Sequence, residues 1–328
     1  MMNLRTMVVG LINDHVAKAF MRLWEHEEGT LKVWRASSNF VYRFENKGKN
    51  FFLRFSFERA QTLEHVEAEL DFINYLALSH YPTIVLIRSS EGKLVERVTT
   101  SKGAYIGVVF SDAEGESLDC DQMNDSQMEA WGKSLGSLHA RSQVYEPAKG
   151  IKRQDWRDGL DYIAMALDRH PHEKEALMEL DNLRIWLYSL KQSKHEYGLI
   201  HYDFQQDNIF WHASTSQFHV IDFDDAMYHW YAMDIVAALA DVLDNTERDS
   251  SSQVESFLRG YKAICPLDKQ MIEHFPKFLR FSKLFSFSRI LTALEDSDLS
   301  NTPPWYAGLK LKLMTMTDEM RLGFGNPW

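Results

Sequence analysis

At 328 residues the chain has room for two ordinary domains or one large one, and 45% hydrophobic against 25% charged residues is the balance of a globular rather than a disordered protein. Lys and Arg number 36 against 47 Asp and Glu; a formal net charge of −11 argues against a nucleic-acid partner, whose binding rests on clustered basic side chains, while leaving room for a local basic cleft. Two cysteines, Cys120 and Cys265, are too few for a disulfide framework or a Cys-rich zinc site; with no apolar run near the roughly 18 residues of a membrane span and no signal-peptide pattern at the start, the expectation is a cytoplasmic enzyme or binding protein.

In chain order, a first helix is expected over residues 13–25, followed by strands over 31–36, 40–45 and 51–57, all rich in aromatic and β-branched residues. Residues 46–50, Asn-Lys-Gly-Lys-Asn, supply turn chemistry between the last two. Thr62 is a candidate N-cap for the next helix, with Glu64 in its first turn; Leu63, Val66, Leu70 and Ile73 fall on one helical face. Tyr81-Pro82 ends it. Two strand signals flank the Glu91-Gly92 turn, and a third covers 104–110. From Asp125 the pattern turns helical, near 125–142, 154–168, 172–191, 232–244, 252–263, 268–294 and 305–322, interrupted by a β-like island at 198–223. Strands first and helices afterwards predict two lobes, 1–112 and 113–328, joined through the polar stretch SDAEGESLD that begins at Ser111.

The most informative stretch is LIHYDFQQDNIFW at 199–211, followed by FHVIDFDDA at 218–226. Asp203 precedes Asn208 by five residues and Asp222 follows fourteen later. Two short strands joined by a turn would bring Asn208 and Asp222 together, and an amide plus a carboxylate oxygen suits a hard cation such as Mg²⁺. Asp203 would stand beside them, free to accept a proton from an attacking hydroxyl. In the first half, alternation puts Phe52 and Arg54 on one strand face and Phe51, Leu53 and Phe55 on the other. A cation in mid-strand among phenylalanines is costly unless it meets an anion; an edge-strand Arg reaching solvent is the plain alternative.

The set His201-Tyr202-Asp203 through Asn208, followed by Asp222-Phe223-Asp224, resembles the catalytic loop and metal motif of the protein-kinase-like superfamily. The Trp230–Val236 segment resembles a helix start of its aminoglycoside phosphotransferase and choline kinase-like branch. The resemblance implies a bilobal α+β fold, an antiparallel sheet lobe with helices followed by a larger helical lobe. It implies ATP-dependent transfer of a phosphoryl group to a small-molecule hydroxyl, with ATP and Mg²⁺ as cofactors and GTP as an open alternative. Asp203 becomes the base, and Asn208 and Asp222 become metal ligands. Arg54 takes the phosphate-orienting place of the usual Lys, with Glu69 (or Glu67) as its brace. Ser37-Ser38-Asn39 becomes the turn over the phosphates, although it lacks the glycine-rich signature. Phe52 and the backbone of Ser111 and Ala113 become the base-binding groups. Tyr202 departs from the glycine many relatives carry there, and Asp224 replaces the glycine of D-x-G.

For the acceptor, Asp224, Asp225, Trp230, Tyr231, Arg289 and Trp305 are the candidates. Carboxylates beside aromatic faces favour a cationic group, hence an amino sugar, amino alcohol or hydroxy amino acid. Packing is the competing explanation for the aromatic residues, and helix capping for Asp225. The partner expected is this small molecule, with neither nucleic acid nor membrane; monomer and homodimer are both compatible with the sequence. A kinase-fold regulator without turnover and a protein kinase are the competing classes. The retained Asp203, Asn208 and Asp222 weigh against the first, and the missing activation segment against the second.

Overall fold

The computed structural model describes residues 1–244 and 251–327. Its first part is built on one antiparallel sheet. Strands β1 (Lys32–Ala36), β2 (Phe40–Asn46) and β3 (Lys49–Phe57) are followed by helix α3 (Leu63–Leu78) and strands β4 (Leu86–Ile87), β5 (Val95–Thr100) and β6 (Gly103–Ser111). The sheet order is β1-β2-β3-β6, with β4 and β5 pairing successive stretches of β6. The β2–β3 hairpin turns on Lys47 and Gly48, with φ of 52° and 71°, the left-handed pair that matches strand twist.

Register sets the two faces. Val41 lies opposite Arg54 and Arg43 opposite Phe52, while Phe52 and Arg54 lie opposite Phe110 and Val108 on β6. These residues face α3 and the cleft below it. The other face carries Phe40, Tyr42, Phe44, Leu53, Phe55 and Tyr105, which bury Phe20 and Met21 of helix α2 (His15–Met21). The expected helix at 13–25 is therefore shorter, and another precedes it.

That preceding helix, α1 (Leu4–Leu11), is capped by Asn3, whose side chain accepts from the Arg5 amide at 2.9 Å. Its Leu4 and Val8 pack with Ile290, Tyr306 and Leu313 of the helical part, whereas a Cβ at Gly10 would fall 2.1 Å from the Phe40 ring of β2. The helix thus touches both halves of the molecule.

The second part comprises α4 (Asp125–Ser142), α5 (Trp156–Asp168), α6 (Lys174–Ser189), α7 (Tyr231–Ala238), α8 (Ala240–Asp244), α9 (Ser251–Lys262), α10 (Lys269–Glu273), α11 (Phe275–Leu294) and α12 (Pro304–Arg321). Two small antiparallel ribbons sit among them: β7 (Tyr197–Ile200) with β10 (Met227–Trp230), and β8 (Ile209–His212) with β9 (Gln217–Val220). The expected helix at 268–294 divides at His274, because Pro276 has no N–H for a continuous helix and starts α11 instead. The expected helix at 232–244 divides at Leu239, for which nothing local gives a reason. Helices α4 and α9 cross backbone to backbone: a Cβ at Gly132 would meet the Phe257 carbonyl oxygen at 1.9 Å, and one at Gly260 the Glu129 carbonyl oxygen at 1.9 Å. No described helix is long and apolar enough to cross a membrane.

Candidate active site

The β8–β9 hairpin does the assembling. Ile209 pairs with Val220, and the Ile221 amide donates to the Asn208 carbonyl at 3.0 Å, so Asn208 enters the hairpin where Asp222 leaves it. Asn208 Nδ2 donates to Asp203 twice, to the backbone oxygen at 2.9 Å and to Oδ2 at 2.8 Å. With the amide nitrogen engaged, Asn208 keeps Oδ1 as a neutral ligand oxygen, and Asn208 and Asp222 line the same cleft. Among the described residues no group of three acidic, His or Cys side chains forms a metal cage. An Asn–Asp pair suits a cation that completes its shell with phosphate and water oxygens, the habit of Mg²⁺.

His201 is fully buried and braces the loop. Its Nδ1 accepts from the Asp203 amide at 3.2 Å, so Nε2 carries the proton and donates to the Ile221 carbonyl at 2.9 Å. Burial holds its pKa below the ordinary value, in keeping with that neutral tautomer. Asp234 of α7 completes the support: its carboxylate accepts the amides of His201 and Tyr202 at 2.8 and 2.7 Å, and lies 3.0 Å from His139 Nε2. These bonds hold Tyr202 in a left-handed conformation, φ 70°, a position where glycine fits without strain. Asp222 also has positive φ, 64°.

Across the cleft, Arg54 grips Glu69 with both arms, at 2.8 and 2.5 Å, and Nη1 stands 3.8 Å from Asp222. Burial favours loss of its proton, but the Glu69 charge prevails and raises its pKa. The mid-strand cation thus meets its anion. The cleft, about 460 Å³, is lined by Val41, Phe52, Arg54, Phe110, Ala113 and Asp222 among others. Arg35 and Arg43, which the sequence reading passed over, line it as well, and Arg35 reaches Asp207 at 3.2 Å. The Ser111 amide is engaged by the Val85 carbonyl at 2.9 Å, so Ser111 offers its carbonyl alone. Gly115, φ 114°, presses on β8: a Cβ there would meet the Trp211 carbonyl oxygen at 2.5 Å. A second cavity, about 660 Å³ between α4 and the β8–β9 hairpin, is lined by Trp211 but by none of Arg54, Glu69, Asp203, Asn208 and Asp222.

The carboxylates sit in different electrostatic surroundings. Burial, then the charges of Asp225 and Asp207, push Asp203 up to about 6, with Arg289 and Asn208 opposing. Burial and the Asp224 charge push Asp222 up to about 7. Burial acts on Asp224 in the same sense, but Arg54, His65 and Arg153 outweigh it and hold that carboxyl below its usual range.

The acceptor candidates separate. Arg289 donates to Asp225 at 2.5 Å and to Ser38 Oγ at 3.0 Å, joining α11 to the β1–β2 turn. Asp224 accepts from Asn39 Nδ2 at 2.9 Å and from Gln61, so its oxygens tie the two lobes together. Trp230 and Tyr231 are corrections. Both are fully buried in the helical core, Trp230 bonded to the Lys191 carbonyl at 3.0 Å and Tyr231 stacked on His139, so packing claims their faces. Trp305, 38% exposed at the start of α12, rests edge-on against Tyr306 and does not line the cleft. Sequence reasoning missed Asp234, although it lies in the quoted helix start, and Arg153, discussed below.

A model of the phosphotransferase enzyme family matches residues 31–272. The chain is 24% identical over 261 residues to the amicoumacin kinase of Bacillus subtilis (strain 168), covering 76% of each chain. A solved amicoumacin kinase in complex with AMP-PNP, Ca²⁺ and Ami superposes with a TM-score of 0.79 at 22% identity, covering 96% of each chain. A microcompartment-associated aminopropanol kinase gives 0.70 at 20% identity, covering 94% of this chain and 95% of its own.

Proposed function

The chain belongs to the phosphotransferase enzyme family and is a small-molecule kinase, and from that premise we propose that it transfers the γ-phosphoryl group of ATP to a hydroxyl of an amine-bearing small molecule. The observation that carries this reading is the Asn208 clamp, which fixes the Asp203 carboxylate at 2.8 Å while Asn208 and Asp222 line the same cleft. Asp203 accepts the hydroxyl proton, and its elevated pKa of about 6 makes it a better base at neutral pH than an ordinary carboxylate. Asn208 and Asp222 hold Mg²⁺, which when bound neutralises charge on the phosphates. Arg54, braced by Glu69, orients those phosphates. Phe52, the Ser111 carbonyl and the Ala113 backbone receive the nucleotide base, and Ser37-Ser38-Asn39 lies over the phosphates. Such chemistry is positioning and charge neutralisation, which is why acids, an amide and a guanidinium suffice.

For the acceptor, Asp225 and Arg289 stand closest to the argument, because both perturb Asp203 electrostatically. By their names the relatives act on amicoumacin and on aminopropanol, and the second, an amino alcohol, favours an ammonium-bearing acceptor. Arg289 favours a second reading, a hydroxy amino acid such as homoserine whose carboxylate it pairs.

The test is a coupled ADP-release screen of amines, amino acids, sugars and nucleosides, with Asp203→Asn alongside. That variant should keep Mg·ATP binding and lose turnover by about 10²–10⁴-fold, the range for a general base. Full activity in it refutes the assignment. Turnover of neutral polyols with failure of every amine removes the cationic acceptor and leaves phosphotransfer.

A further inference from the structure

Arg153 lies between α4 and α5, two residues before the α5 N-cap Asp155. Its guanidinium donates to four backbone carbonyls: Nη1 to His65 at 3.1 Å, Nη2 to Phe223 at 2.6 Å and Asp224 at 2.5 Å, and Nε to Ala226. Among the described residues no carboxylate forms an ion pair with it. An arginine without a carboxylate is unusual in so enclosed a place. The donors explain the arrangement. Three of the four carbonyls belong to residues one, two and four positions after Asp222, so this stretch of chain curls around the cation. Phe223 O also accepts the Ala226 amide at 3.2 Å and Asp224 O lies 3.1 Å from His65 Nε2, so the guanidinium is the group these oxygens share rather than the sole partner of each.

The fourth carbonyl comes from α3. His65 stands four residues before Glu69, one helical turn away on the same face. One planar group therefore joins the segment that carries Asp222 to the helix whose Glu69 holds Arg54. Its charge also lies behind a crowd of acids: Glu69, Asp224 and Asp225 are the carboxylates it feels most strongly. A fixed cation there offsets their mutual repulsion.

We propose that Arg153 is a positioning residue for phosphoryl transfer, setting the metal-binding loop and the phosphate-orienting helix in one frame through its four carbonyl bonds. The proposal rests on the reading of Asp222 as a metal ligand. Its geometric part, that the guanidinium shapes residues 222–226, does not. A lysine carries its three donors on one nitrogen and cannot make four bonds from the separate positions of Nε, Nη1 and Nη2, so the fork itself is required.

The experiment compares wild type with Arg153→Lys, Arg153→Met and Arg153→Ala. First, amide exchange of residues 222–227 is measured without ligand: faster exchange is expected in all three variants, and unchanged exchange overturns the proposal. Second, the melting temperature is measured with AMP-PNP, with and without Mg²⁺. Wild type should show a Mg²⁺-dependent rise that Arg153→Met largely loses. Third, Arg153→Met should need roughly 10–100-fold more Mg²⁺ for half-maximal activity or lose kcat by that factor, the usual effect of groups that support metal ligands, while the acceptor KM stays within about twofold. Adding methylguanidinium to Arg153→Ala should restore part of kcat beyond a NaCl control.

A folded Arg153→Met with wild-type Mg²⁺ dependence and kcat overturns the proposal. So does equal recovery by NaCl, which would mark a general loss of stability. If wild type itself shows no Mg²⁺-dependent stabilisation and no ADP release, the phosphotransfer reading fails. Arg153 then keeps its loop-shaping role, shown by the exchange data, but its catalytic role is overturned.

Discussion

A carboxyl with a pKa near 6 makes the acid limb of the pH profile diagnostic. A base at Asp203 and a metal ligand at Asp222 must both be ionised, so kcat/KM for the nucleotide, which reports the free enzyme, should begin to fall near the raised pKa of Asp222 and steepen below about 6, where Asp203 is protonated as well. Arg289 opposes the upward shift, and Asp225 adds to it. Replacing Arg289 with Met therefore removes a stabilising cation and leaves the Asp225 charge unmatched, and both changes raise the Asp203 pKa. The limb should move to higher pH, and an unmoved limb would separate Arg289 from the base. The metal pair gives a second test. Asp222 brings charge as well as an oxygen, whereas Asn208 brings the oxygen alone, so Asp222→Ala should demand more Mg²⁺ than Asn208→Ala in a titration of ATP-dependent activity. Equal requirements would contradict those roles. Side chains that meet side chains were legible in the sequence: Arg54 announced its anion by sitting in mid-strand among phenylalanines. Arg153 was not legible, because its partners are carbonyls and carbonyls leave no trace in composition. Trp230 misled for the opposite reason. Its nearness in sequence to the metal motif ends at β10, which turns the aromatic pair into the helical core.

Elements show the same division. The period-2 and period-3.6 patterns placed every strand of the large sheet and most helices, since one face of each must be apolar to build a core. Helix α1 escaped although Leu4, Met7, Val8 and Leu11 carry the helical spacing, because eight residues give a short signal and its cap, Asn3, stands at the edge of the sequence. The break between α10 and α11 was readable from Pro276. Contact between α4 and α9 was not, although its cause is local: glycines at 132 and 136 on one helix and at 260 on the other remove the side chains that would keep the backbones apart. Gly132→Val drives its Cβ and methyl groups into the backbone carbonyl of Phe257, a residue that is itself fully buried. The expected loss is about 3 kcal/mol in chemical denaturation, the upper end for overpacking. A loss under about 1 kcal/mol would mean that the two helices separate without consequence. Asp234 belongs at this scale as well. One carboxylate on α7 serves two amides of the loop that carries Asp203 and a histidine of α4, so three elements share a single anchor.

At the scale of the molecule, an acidic chain of net charge −11 gathers three guanidinium groups, Arg35, Arg43 and Arg54, on the lining of its cleft, among the acids Glu69, Asp112, Asp207 and Asp222. The strand and helix halves predicted from periodicity are present, but the chain does not divide them cleanly, because residues 4–11 leave the sheet half and lie on α11 and α12. That crossing can be tested by Gly10→Val. The added side chain has no room beside Phe40, which is fully buried. Amide exchange should rise in α1 and in the facing turn of β2 together, with the α4–α9 pair unaffected. Exchange confined to α1 would mean that the helix rests on the helical half alone.

The position of α1 also limits how the halves move. They are joined covalently where β6 runs into Gly115, whose segment is pinned to β8 by the Glu116 and Trp211 amide–carbonyl pair at 2.9 and 2.7 Å. They are joined again where the Met2 amide bonds to the Ser37 carbonyl at 2.7 Å, while Asn3 holds the Glu295 carbonyl at 2.7 Å. These two ties act together with Asn39 on Asp224 and Arg289 on Ser38, so the halves are latched at several points along the cleft. A full opening therefore has to unlatch the first turn of the chain as well as those side-chain bonds.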